Sequence, residues 1–156
     1  MLRLRIVFSI AIFCTMLILL GETANATDSP ALIVQITETI AQVRTGATVN
    51  IRTDAAQHLA DLTRKIDPSA VDDKTLADLV SLLDASDDSV RFWVAGSLGN
   101  LGSRAKLAIP KLLAMLPKAD CLNGTITSAA TIRTALSRIG AKPPPHTKCA
   151  VTPIGG

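Results

Sequence analysis

The chain has 156 residues, 48% of them hydrophobic and 3% aromatic, and a formal net charge of +3. That length supports one domain with a single core and is short for two. A charge balance this close to neutral argues against a nucleic-acid or membrane-surface binder held by bulk charge.

Residues 1–26 read as an export signal. Arg3 and Arg5 form a short basic start with no acid, residues 6–20 are apolar apart from Ser9 and Thr15, and Ala24-Asn25-Ala26 sets small residues where a signal peptidase reads them. Cleavage is expected after Ala26. An apolar run of 15 residues is short against the roughly 20 of a spanning helix. Cys14 follows the bulky Phe13, which does not suit a lipidation signal. The expected product is a periplasmic or secreted chain with no stable membrane insertion. Its charge is uneven: residues 27–90 hold 11 acids and 5 bases, whereas residues 91–156 hold 9 bases and one acid.

Laying the chain on itself reveals a repeat. Ile51-Arg52, Ala56, Leu59 and Leu62 recur as Val90-Arg91, Ala95, Leu98 and Leu101 at an offset of 39. A weaker copy at an offset of 38 places Leu136, Ile139 and Gly140 on Leu98, Leu101 and Gly102, with Ser128 and Arg133 where Val90 and Ala95 stand. An apolar run precedes each copy: Leu32 to Val43, Leu76 to Leu83, and Ile109 to Leu116. Spacings of three and four put each run on one helix face. Six helices in three pairs are predicted, with no strand. Asp28 or Ser29, Asp72 or Asp73, and Asp87 or Asp88 are the candidate caps of the first, third and fourth helices. Gly102 and Gly140 stand where the fourth and sixth should stop. Pro110 opens the fifth helix if that helix starts near Ala108 and kinks it if the start is Ser103.

Leu79-Val80-Ser81-Leu82-Leu83, Asp87-Asp88-Ser89-Val90-Arg91, Leu98-Gly99-Asn100-Leu101-Gly102 and Ala108-Ile109-Pro110-Lys111-Leu112-Leu113 closely resemble HEAT repeats. They look most like the short variety named after phycobilisome lyases. The match is strongest over residues 76–116, fainter over 31–65 and poorest over 120–140. The resemblance implies an all-α domain over residues 27–140, a short right-handed α-solenoid of about three helix pairs whose second helices line a concave side. It also implies a ladder in which a turn Asp pairs with the Arg of the next helix. Arg91 with Asp87 or Asp88 fits that role and Arg52 keeps the Arg, but the first repeat has Thr45-Gly46-Ala47-Thr48-Val49 in place of the acid.

Cys121 and Cys149 remain once the signal is removed, and in an exported chain two cysteines most simply make one disulfide. The bridge would fold the Pro-rich tail, residues 141–156, over the last helix pair and cap it. Asn123-Gly124-Thr125 fits a glycosylation pattern that arises often by chance. No catalytic constellation, metal-ligand set or cofactor motif can be assembled from His58, His146 and the paired aspartates, which read as a helix-surface histidine, a tail histidine and caps. Iron-binding HEAT enzymes use His-Glu pairs, and this chain has none.

Two aromatic residues stand apart. With Val90 at zero, Val94, Leu98 and Leu101 fall within about 80° of it, whereas Phe92 falls near 200°, Gly96 near 240°, Asn100 near 280° and Trp93 near 300°. If the second helices share a concave face, it runs from acidic Asp61 through Phe92 and Trp93 to basic Arg138. The competing reading packs both aromatics against flanking helices. The function expected from this surface is a non-catalytic adaptor binding another protein, with an inhibitor or immunity protein that neutralises a toxin or hydrolase as the alternative. A chromophore lyase or other enzyme ranks behind both. Amino-terminal sequencing of the exported product should read Thr27 first; intact Met1 in the membrane fraction would reveal an anchor instead.

Overall fold

The computed structural model describes residues 28–122 and 127–149, so the export signal and the Asn123-Gly124-Thr125 triplet lie outside the described residues. Six α-helices run in order: α1 (Asp28–Thr45), α2 (Val49–Lys65), α3 (Asp73–Ser81), α4 (Asp88–Asn100), α5 (Ile109–Asp120) and α6 (Ser128–Ile139). Among the described residues there is no strand, and no helix is long and apolar enough to cross a membrane. The sequence periodicity therefore found all six elements.

Packing follows the repeat. α2, α4 and α6 lie side by side with α4 in the middle, while α1 packs on α2 and α5 on α6. The stripe read from the 39-residue offset is the interior: Ala56, Leu59, Val90, Val94 and Leu98 are fully buried. α4 is covered on two sides, which is why Ala95, Ser97 and Gly99 are buried as well. The polar hydroxyl of Ser97 is satisfied inside its own helix, donating to the Trp93 carbonyl at 3.0 Å.

The ladder is built between repeats. Arg52 donates to Asp87 through Nε and Nη2 at 3.0 and 2.7 Å and to the Gly46 carbonyl at 2.9 Å. The acid missing from the first turn is thus supplied by the second. Gly46 makes room for this, since a Cβ there would lie 2.9 Å from Arg52 Cγ. Asp87 stands at the N-cap of α4 without capping it, because its carboxylate is turned to Arg52. Arg91 takes Asp88 at 3.0 Å and the Ala85 and Ser86 carbonyls at 2.6 and 2.7 Å. Asp72 is the cap of α3, accepting from Thr75 N at 2.6 Å.

A kinked 3-10 stretch, Gly102–Ala108, joins α4 to α5. α5 therefore begins at Ile109 with Pro110 in its first turn, where a missing N–H costs nothing. Gly102 and Gly140 both take positive φ, +53° and +100°, and Gly140 closes α6 by donating to the Leu136 and Ser137 carbonyls.

The third pair departs from the repeat at two polar positions, and each has found a partner. Ser128 is fully buried and donates through N and Oγ to Asp88 at 3.0 and 2.5 Å, so an acid from α4 caps the amino terminus of α6. Arg133 donates to Asp120 Oδ2 at 2.6 Å and to the carbonyls of Pro144 and Pro145. Thr147 N adds a bond of 2.8 Å to the same Asp120 oxygen, and His146 Nδ1 stands 3.4 Å from Oδ1 without an aligned hydrogen bond. Cys121 and Cys149 form the disulfide, with Cα atoms 5.4 Å apart and 28 residues between them. In the chain-entropy description a loop of that size contributes on the order of 3–4 kcal/mol. The tail is tied down by a covalent and a polar clasp.

The Asp120 side chain is only 2% exposed. The hydrogen bond from Arg133 holds its carboxyl down from 3.8 to about 2; burial pushes the other way, and Thr147 adds to the lowering. A depressed carboxylate contributes stability that is complete above its unfolded pKa and disappears as pH falls through the folded one. Asp120→Asn should therefore melt below the parent at pH 5–7. The gap should close between about pH 4 and pH 2, as read from thermal melts across that range.

Candidate functional site

The residues singled out on the sequence sort into two groups along α4. At its amino-terminal end, Phe92 and Trp93 meet edge to face with ring centroids 5.0 Å apart and planes at 88°. With Asp88 and Ser89 they line an open concavity of about 510 Å³. Both rings are half-buried. They are not equivalent, because Trp93 packs against the edge of the main core and Phe92 does not. The pair is placed here by helix phase: the two positions follow the buried Val90 by two and three residues and so turn away from it. α2 borders the concavity, since Thr53 and Ser89 share a hydrogen bond of 2.8 Å.

The second group lies two turns further along, about 12 Å from Phe92 by helical rise. Asn100 Nδ2 donates to the Ala60 carbonyl at 3.0 Å and to Thr63 Oγ1 at 3.3 Å, while its Oδ1 accepts from Arg138 Nη1 at 3.3 Å. One amide therefore bridges α2, α4 and α6, which makes Asn100 a structural link first. Arg138 is exposed and Asp61 is half-exposed in an ion pair of 2.9 Å with Arg64. The structure does not bring Asp61 or Arg138 to the aromatic concavity. Sequence phase put all six residues on one side of the layer; their separation along the helices spreads them over it.

Gly96 and Gly99 explain how closely α6 approaches. A Cβ at Gly99 would lie 3.0 Å from Ala135 Cα and 3.2 Å from its Cβ, whereas one at Gly96 would meet Thr131 Cγ2 at an ordinary 3.7 Å. Gly99 was the more important glycine, and its repeat equivalent Ala60, itself small, was the available hint. His58 is exposed on α2, and His146 is exposed in the tail. Among the described residues no group of three or more His, Cys, Asp or Glu stands close enough to hold a metal ion.

The two glycines make a paired test. Gly99→Val should cost about 2–3 kcal/mol through forced separation of α4 and α6. Gly96→Ala should be neutral or gain up to about 1 kcal/mol from helix propensity. Urea denaturation of the two variants checks both signs. Compared with known proteins, the chain matches no family model, no curated protein and no solved structure.

Proposed function

We propose that the chain is an exported, non-catalytic protein-binding scaffold, built as a short right-handed α-solenoid of HEAT type, with the side of α2, α4 and α6 as its binding face. The 39-residue repeat, the side-by-side order of the three second helices and the arginine ladder between repeats support the solenoid reading. A disulfide pair suits an oxidising compartment, the periplasm or the cell exterior.

The observation that carries the binding role is the aromatic pair in an open concavity. Aromatic side chains left part-exposed at the middle of a surface, with polar groups around them, are the usual anchors of a protein interface. Phe92 has the geometry of such an anchor because the core does not use it. A neutralising role against a toxin or hydrolase would use the same face, and a gene for that target beside this one would favour it over the adaptor.

Partner capture from a periplasmic extract tests the assignment when paired with melts. Phe92→Ala should lower stability by less than about 1 kcal/mol and weaken capture roughly tenfold or more. Trp93→Ala should also weaken capture but cost about 2–4 kcal/mol. Equal, large losses of melting temperature in both variants would make the pair core and remove the site.

A further inference from the structure

A second surface lies on the opposite kind of helix. The exposed positions from the 3-10 stretch through α5 recur every three or four residues: Lys106, Leu107, Pro110, Leu113, Pro117 and Lys118. Together they form one outward stripe with an apolar centre and a lysine at each end. Leu107 is 58% and Leu113 37% exposed, two of five large hydrophobic side chains exposed among the described residues. The corresponding outward rows of α1 and α3 are mixed or polar, with Thr37, Glu38 and Ala41 on one and Asp73, Lys74 and Ala77 on the other.

The electrostatics of this stripe differ from the near-neutral whole. After residue 90 the chain has a single acid, Asp120, whose side chain is buried against Arg133. The acids at the edge toward α3 are taken up, Asp84 by Lys111 at 2.5 Å and Asp73 by Arg104 at 2.6 Å. The disulfide adds charge by holding exposed Lys148 beside the carboxyl end of α5. The apolar row is therefore framed by cations with no exposed unpaired acid among the described residues beside it.

We infer that the α5 stripe docks this protein peripherally on an anionic lipid surface. The residue types favour lipid over a protein partner. Lysine is depleted from protein interfaces, whose anchors are aromatic or arginine, and the stripe has neither. Leucines between lysines are instead the composition of helices that lie in a membrane interface, where each lysine strengthens attachment to acidic headgroups. The inference does not rest on the aromatic site of α4. It would let the scaffold hold a partner beside a membrane.

The test is co-sedimentation of the purified, disulfide-intact protein with phosphatidylcholine vesicles, with and without roughly 30% phosphatidylglycerol. Comparison of parent and variants in the same processed form cancels any contribution of residues 1–26. Binding should require the anionic lipid and weaken as salt is raised. Lys106→Ala with Lys118→Ala should weaken it about 25-fold, roughly fivefold per lysine. Leu107→Ser with Leu113→Ser should reduce it at least about tenfold, with unchanged melts because both side chains are exposed. Equal binding to both vesicle types, no binding to either, or binding indifferent to both double variants would overturn the proposal. Capture of an acidic protein by the stripe in place of vesicles would overturn it too. Failure here leaves the Phe92 result untouched, since that variant lies on another helix.

Discussion

Everything in this molecule hangs on α4 being covered from two sides at once. A helix in that position must bury Val90, Val94 and Leu98 and must also offer small residues where a neighbour's backbone approaches, which is the role of Gly99 against Ala135. Both ends are then stitched to both neighbours. At the start, Asp87 reaches back to Arg52 of α2 and Asp88 reaches forward to Ser128 of α6. At the finish, Asn100 reaches back to Ala60 and Thr63 and receives Arg138 from the other side. Each neutral bridge contributes only about 0.5–1.5 kcal/mol net, but a buried group left without its partner costs more than that. The bridges therefore specify which helices pair, while apolar burial drives the pairing.

A stack of helix pairs has two ends, and each exposes a side that an interior pair would hide. The front end is managed by composition: Asp54, Gln57 and His58 on α2 are exposed and need no cover. The rear end is managed by the tail. Arg133 at a position where the repeat calls for alanine looks like a defect in isolation, yet its guanidinium carries Asp120 and two proline carbonyls, and the disulfide closes the same segment. Burying that ion pair is tolerable only because Thr147 and the prolines supply further hydrogen bonds.

The surfaces left over are consequences of the same geometry. Middle helix α4 has no room for a third covered side, so residues phased away from the core, Phe92 above all, face outward. α5 contacts α6 along one side only, and its outward row keeps leucines, prolines and lysines. The acidic front and basic rear halves of the sequence thus become a protein with different surfaces on different helices.

How much of this was legible in advance follows from the range of each interaction. Helical periodicity, glycine stops at Gly140 and the offset of 39 are local or repeat-borne signals, so the six helices, their core stripe and the outward phase of Phe92 could be read from residues alone. The Cys121–Cys149 pairing was legible by arithmetic, because only two cysteines remain after residue 26. Partnerships across 30 to 40 residues were not. Which acid Arg52 takes, why Ser128 and Arg133 break the pattern, and whether Asn100 is a surface group or a bridge depend on where neighbouring helices stop, and no sequence period encodes that. Nor could phase separate Phe92 from Trp93: both point away from Val90, and only the position of the adjacent helices decided that one packs against the core while the other is left to solvent.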